Sequence, residues 1–305
     1  MSWRDVALEL LGPIYKPRLD PRRAERVYRQ FDEERGFAPY LESCRRAFSR
    51  EGPLPPADLL ASQGFTYLDV LEPDRAGDIL QAANATCLVG VIKKGRRRLK
   101  GFRIDDSGFR DSILSAVLTE PVDRQLVGFF GSEFLVQWMN LTATPPVPEA
   151  NSVSFRWHCD RGPRMHLKLI VYLNATAEHG GNSEFISLGD TAAVAAHGYV
   201  FGRIRARTSN VEDLAAVAGR PIDTHLQRIP TGGGVLFQPA AVLHRGVTPS
   251  HGTRHALTLC LLPSPIPWRD ALRRGTFFDL ALHTKWPGHA RELAEALAMP
   301  PGVIS

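Results

Sequence analysis

His158 and Asp160 stand two residues apart in Trp157-His158-Cys159-Asp160, and His244 lies far downstream after a short apolar run. On a β-strand, alternate side chains share a face, so the imidazole of His158 and the carboxylate of Asp160 can reach one metal ion. His244 can add a second imidazole from a different strand. Two imidazoles and one carboxylate with coordination positions left open form the donor set of non-haem Fe(II) oxygenases. The same three ligands plus a water also suit zinc, so a metal-dependent hydrolase stays open on the donor set alone. Arg254 follows His244 across the turn-rich stretch Thr248-Pro249-Ser250-His251-Gly252-Thr253. That spacing suits a hairpin whose return strand carries a guanidinium back toward the metal. A planar, permanently charged fork matches a dicarboxylate co-substrate, and zinc hydrolysis gives no reason for it.

These residues sit in a longer pattern. Between about Phe134 and Pro263 the chain carries Trp157-His158-Cys159-Asp160, then Leu167-Lys168-Leu169-Ile170-Val171-Tyr172-Leu173, then Gly180-Gly181-Asn182-Ser183. Gly233-Gly234-Val235-Leu236-Phe237, His244-Arg245-Gly246 and Arg254 follow in order. This segment resembles the Fe(II)/2-oxoglutarate-dependent dioxygenase superfamily and, within it, the phytanoyl-CoA dioxygenase-like family. A weaker echo of the family's entry strand and helix runs from Gly64 through Leu71 to Ala83. The resemblance implies that His158, Asp160 and His244 bind Fe(II) and that Arg254 pairs with the far carboxylate of 2-oxoglutarate. It also implies conversion of 2-oxoglutarate and O2 to succinate and CO2 as a substrate is oxidised. Related halogenases lack the carboxylate, so Asp160 implies hydroxylation or another oxidation in preference to halogenation. A non-catalytic jelly-roll binding protein is the alternative of a different class.

Further candidates come from the flanking strands. An amide on Phe134-Leu135-Val136-Gln137-Trp138-Met139-Asn140 is expected to contact 2-oxoglutarate, as in family members. Alternation separates Gln137 from Asn140 unless a bulge intervenes, and Gln137 is preferred. Thr258 shares the strand face of Arg254 and is assigned to the same carboxylate, with β-branched strand packing as its competing role. Lys168, a charge within an apolar strand, is expected to face outward into solvent. The triple glycine 232–234 lacks the Lys-Ser/Thr of a phosphate loop and reads as a tight turn before a strand.

The elements that must position these side chains read as mainly β with flanking helices (α+β), around a double-stranded β-helix of the jelly-roll or cupin-like kind. Residues 1–62 are expected as a helical extension, with helices at Trp3–Leu11, Pro21–Arg35 and Tyr40–Arg50. The oxygenase domain spans 63–265, with an insertion at about 189–231, and 266–305 form a helical tail with helices at Phe277–Leu282 and His289–Ala298. Within the domain, helices are expected at Asp74–Ala83, Asp111–Leu118, Val122–Phe129 and Ser209–Ala218, and strands dominate from Phe134 to Leu262.

The 305 residues, 44% of them hydrophobic, can fill a sizeable core, and no run approaches a membrane span. Four scattered cysteines and a start without signal-peptide layout point to reduced thiols in the cytoplasm. The net charge of +5 includes the basic run from Lys93 to Arg103, read as a solvated loop between strands. No base-reading module accompanies it, so nucleic acid is disfavoured. A small-molecule substrate is expected, anionic ones included, with Arg161 and Arg164 as candidate contacts.

Overall fold

The computed structural model describes residues 37–54, 56–94, 97–146, 153–160, 165–197, 199, 207–277 and 297. The helices expected at 3–11 and 21–35 lie outside them, as does nearly all of those expected at 277–282 and 289–298. Among the described residues, ten strands are distributed over two sheets. The large sheet has the order β1-β8-β5-β10-β4-β3-β2, and the small one β7-β6-β9. In the large sheet the strands are β1 (Phe65–Asp69), β2 (Leu88–Lys94), β3 (Arg97–Arg103), β4 (Glu133–Thr144), β5 (Leu167–Tyr172), β8 (Gly233–Phe237) and β10 (Arg254–Ser264). The small sheet contains β6 (Asn182–Ile186), β7 (Thr224–His225) and β9 (His244–Val247), and an isolated antiparallel bridge joins His158 to His244 at its edge. Among the described residues every pairing is antiparallel, and apart from the β2–β3 hairpin and the consecutive pairs β3–β4 and β6–β7 they join strands distant in sequence, as in a rolled double sheet.

Alternation decides which side chains see the interior of the roll. On β5, Leu167, Leu169 and Val171 belong to the large apolar core, as do Leu257, Leu259 and Leu261 of β10. Three helices cover that face: α3 (Pro73–Thr86), α4 (Ser107–Val117) and α5 (Glu120–Phe130). They follow α1 (Phe37–Ala47) and α2 (Asp58–Ser62) in the chain. Each presents a stripe at helical spacing, such as Ala76, Ile79 and Ala83 on α3, or Val122, Leu126 and Phe130 on α5. Each fully buried Leu, Val or Phe contributes about 1.5–3 kcal/mol, which pins the helices to this side. The alternate residues Lys168, Ile170 and Tyr172 therefore point into the roll, opposite Cys260, Thr258 and Ala256 in register.

Local signals place the strand ends. Pro121 starts α5, and Gly131 at φ 65° ends it, so the chain reverses directly into β4. Gly232, at φ 83°, is packed so closely that an added Cβ would lie 2.0 Å from the Leu71 carbonyl oxygen; of the glycine triplet it alone belongs to the turn, and Gly233 and Gly234 are already paired in β8. One end of the roll is stoppered by α1, whose Phe37, Tyr40 and Cys44 pack on Leu135, Cys260 and Leu262. The Tyr40 hydroxyl donates to the Pro263 carbonyl at 2.7 Å.

Several elements differ from the sequence reading. The helix expected over Tyr40–Arg50 runs Phe37–Ala47. Leu188–Ala196 (α6) is a helix that the sequence did not mark, Trp268–Arg273 (α8) falls in the helical tail expected over 266–305 but ahead of the helices placed there, and Val211–Ala218 (α7) matches the helical stretch expected near 209–218. The basic run is mostly strand: Lys94 pairs with Arg97 and Gly90 with Gly101 in an antiparallel hairpin. Pairing of Lys100 with Ala143 and Phe102 with Leu141 continues the ladder of β4, so the backbone groups of that strand find partners the charge pattern did not suggest. Among the described residues, no helix is long and apolar enough to cross a membrane.

Candidate metal centre

The bridge between His158 and His244 brings the two imidazoles together. His158 N–H donates to the His244 carbonyl at 3.1 Å and His244 N–H to the His158 carbonyl at 2.9 Å. Asp160, two residues along, is held by its own N–H on the Pro239 carbonyl at 2.7 Å. The imidazole ring centroids are 4.4 Å apart. His158 Nε2 lies 3.6 Å from Asp160 Oδ1, and His244 Nε2 lies 3.8 Å from Asp160 Oδ2. The ligand atoms of all three residues fall within 4.8 Å of one another. Donors that each bond one ion at about 2.1 Å lie roughly 3–3.5 Å apart, and the two histidine–carboxylate separations exceed that by less than an ångström.

Both imidazoles are set for coordination through Nε2. Nδ1 of His158 lies 2.7 Å from the Arg156 carbonyl, and Nδ1 of His244 lies 3.0 Å from that of Val242. A carbonyl only accepts, so each Nδ1 carries the proton and each Nε2 keeps its lone pair. Burial holds both histidines below the ordinary 6.5, with the mutual repulsion of the pair adding to the shift at His158, which favours the neutral, ligating form. At Asp160 burial alone would raise the carboxyl, but the Lys168 ammonium and the two imidazoles outweigh it and hold the group well below the ordinary carboxylate range. The donor set and its protonation states therefore fit a divalent ion.

Phe185 and Phe237 wall the pair on one side. The Phe185 ring stacks 6.4 Å from that of His244, and Phe237 meets it edge-on at 5.0 Å. Cys159 points the other way, into a cluster with Trp157, Ile186 and Leu243.

Arg254 and Thr258 lie four residues apart on the inner face of β10, in register with the interior row of β5. The Arg254 guanidinium donates through Nη1 to the Asn182 carbonyl at 3.2 Å, and its Nε is buried with no hydrogen-bond acceptor. Among the described residues no carboxylate forms an ion pair with it. Burial pulls the guanidinium below its ordinary value, with the neighbouring Tyr172 phenol opposing. Gln137 occupies a bulge: Cys260 pairs with Trp138 and Leu261 with Val136, leaving Gln137 as the extra residue. It is fully buried, its Oε1 accepts from the Cys260 thiol at 3.6 Å, and its Nε2 has no partner. Asn140, opposite Thr258 in register, is exposed on the interior row.

Lys168 departs from its expected outward position. Its ammonium forms an ion pair with Asp160 Oδ2 and sits 5.5 Å from the centroid of the Trp138 ring. The sequence carried this signal: Leu167, Leu169, Val171 and Leu173 form an unbroken apolar row, so the residues between them face the other way. Arg161 and Arg164 lie outside the described residues.

No family model matches the chain, and no curated protein does. Solved structures do. EctD from S. alaskensis with bound Fe aligns over 77% of this chain and 85% of its own, at 13% identity and a TM-score of 0.50. The same protein with 2-oxoglutarate and 5-hydroxyectoine aligns over 70% and 78%, at 16% identity and a TM-score of 0.49. HygX from Streptomyces hygroscopicus, with nickel, 2-oxoglutarate and hygromycin B bound, aligns over 68% and 86%, at 12% identity and a TM-score of 0.44. The likeness to the iron-bound EctD structure shows the fold alone, a rolled double sheet with flanking helices.

Proposed function

We propose that this chain is an Fe(II)/2-oxoglutarate-dependent oxygenase that hydroxylates a small metabolite or biosynthetic intermediate. The observation that carries this reading is Arg254, a half-buried guanidinium whose Nε is shut off from solvent with no acceptor and which has no carboxylate partner among the described residues, facing the same roll interior as the His158, Asp160 and His244 donors. A buried charge is costly unless it is paired, so this one is built to receive an anion. A metal site alone would suit zinc as well as iron; a metal site sharing its chamber with an unpaired guanidinium suits a co-substrate that chelates at one end and carries a carboxylate at the other.

In this reading His158 Nε2, His244 Nε2 and Asp160 hold the iron. Arg254 receives the far carboxylate of 2-oxoglutarate, and the Thr258 hydroxyl, on the same strand face, adds a hydrogen bond to it. Gln137 offers its unpaired Nε2 to an acceptor in the chamber, and Asn140 does the same from the row opposite Thr258. When bound, iron with 2-oxoglutarate and O2 supplies the oxidising chemistry, leaving succinate and CO2. Phe185 and Phe237 keep water from one side of the imidazole pair. The substrate is a small molecule, anionic ones included, entering where Trp138 and Asn140 line the interior. Four cysteines that form no disulfide support a reducing compartment such as the cytoplasm.

Succinate release tests the proposal. Protein reconstituted with Fe(II) and supplied with 2-oxoglutarate and O2 is expected to form succinate slowly without substrate, and faster with a productive one. Absence of succinate above a protein-free control across a broad substrate panel, together with oxygen-independent hydrolysis by the zinc-loaded protein, would overturn it.

A further inference from the structure

Lys168 is the only charged residue of β5, and the core packing of its neighbours Leu167 and Leu169 forces it into the roll. Its ammonium sits on Asp160 Oδ2, which also lies 3.8 Å from His244 Nε2, while Oδ1 is free of the ammonium and lies 3.6 Å from His158 Nε2. No other acid among the described residues forms an ion pair with it. Its register partner Cys260 spends its thiol proton on Gln137, and the Trp138 ring packs against its charge from β4. The side chains of the pair are 21% and 27% exposed, so the contact is largely shielded from solvent.

We propose that Lys168 is a positioning residue for the metal-binding carboxylate. It occupies Oδ2 and leaves Oδ1 to the metal, so Asp160 binds through one oxygen and the remaining coordination positions stay free for small ligands. The inference rests on the metal-centre reading above. It has a cost that a purely structural ion pair would not show. A fixed positive charge beside a divalent cation repels it, so Lys168 weakens metal binding while it fixes the denticity of Asp160. A structural pair would hold residues 157–160 against β5, and its loss would weaken metal binding or leave it unchanged.

The sign of the change separates these roles. Co(II) binding is measured by competition with a chromophoric chelator, and the visible ligand-field band is recorded for wild type, Lys168→Met, Lys168→Gln and Lys168→Arg, each checked for folding by circular dichroism. Lys168→Met is expected to bind Co(II) about tenfold more tightly or better. Its band should change intensity as the second carboxylate oxygen joins the metal. Lys168→Gln, which keeps a donor but no charge, should gain affinity while keeping the wild-type band, and Lys168→Arg should restore both properties. If Lys168→Met misfolds, the Gln and Arg variants carry the same comparison. Unchanged or weaker Co(II) binding in the folded, uncharged variants would overturn the role of Lys168. Failure of wild type to take up Co(II) at all would instead remove the metal-centre reading and this inference with it.

Discussion

Among the described residues, Lys168 and Arg254 both face the interior of the roll, and they are met in opposite ways. Lys168, on β5, is neutralised by Asp160 at the metal centre. Arg254, at the start of β10, meets only the Asn182 carbonyl and leaves Nε unpaired. The first arrangement is complete before any ligand arrives, and the second is not. The difference teaches how one chamber serves two ligands of opposite charge: a balanced pole that a metal enters by sharing a carboxylate, and an unbalanced pole that waits for an anion.

Breaking the balanced pole should have the largest effect. Asp160→Ala removes a metal ligand and strands the Lys168 ammonium. Metal binding should be lost, and the metal-free protein should be destabilised by roughly 3 kcal/mol, as for a pair that is mostly but not wholly buried. Isothermal titration with Mn(II) and urea denaturation check the two parts. At the other pole the outcomes separate. Arg254→Met should weaken 2-oxoglutarate binding by about a hundredfold or more, in line with loss of a buried charge pair. It should leave the stability of the ligand-free protein unchanged or raised, because the guanidinium has no carboxylate to lose. A fall in stability comparable to that of Asp160→Ala would erase the contrast.

Acid should act on the balanced pole first. His158 and His244 are held below the ordinary 6.5 by burial, so the folded protein binds fewer protons there than the unfolded chain. Their contribution to stability is present above about pH 6.5 and is lost as pH falls through the lower folded values. Thermal melts of the metal-free protein should therefore show a declining midpoint below pH 6.5, and His158→Ala should blunt the decline. The smallest expected effect is at Thr258. Replacement by Val keeps the β-branched packing, so 2-oxoglutarate affinity should fall only a few-fold, about the worth of one hydrogen bond, with metal affinity unchanged. An equilibrium titration resolves it.

Much of this was legible in the sequence, for identifiable reasons. The donor types and the His-x-Asp spacing marked His158, Asp160 and His244, but 157–160 is no strand: one isolated antiparallel bridge between segments distant in sequence brings the imidazoles together. The hairpin expected between His244 and Arg254 does not form: β9 pairs with β6 in the small sheet and β10 with β4 and β5 in the large one, so the turn residues carry the chain from one sheet to the other. Lys168 was misread because a lysine in an apolar strand suggests a solvated edge; the apolar row that alternates with it was the stronger signal. The bulge at Gln137 has no marker in Phe134–Asn140, since it arises where β10 pairs across the sheet. The strand Arg97–Arg103 was hidden because, besides its hairpin with β2, it pairs with the distant β4, and charge patterning is blind to such partners. The helix Leu188–Ala196 was obscured by small residues that score weakly in any periodic pattern, although Ser187 caps it by accepting from Asp190 N–H at 3.1 Å.

The most direct test of the central claim is an anaerobic titration of the Fe(II)-loaded protein with 2-oxoglutarate, following the weak visible charge-transfer band of the chelate in wild type and Arg254→Ala. The account predicts a saturable band in wild type and a titration displaced by about a hundredfold or more in the variant. Bound iron with no band, or the same titration in both proteins, would contradict it.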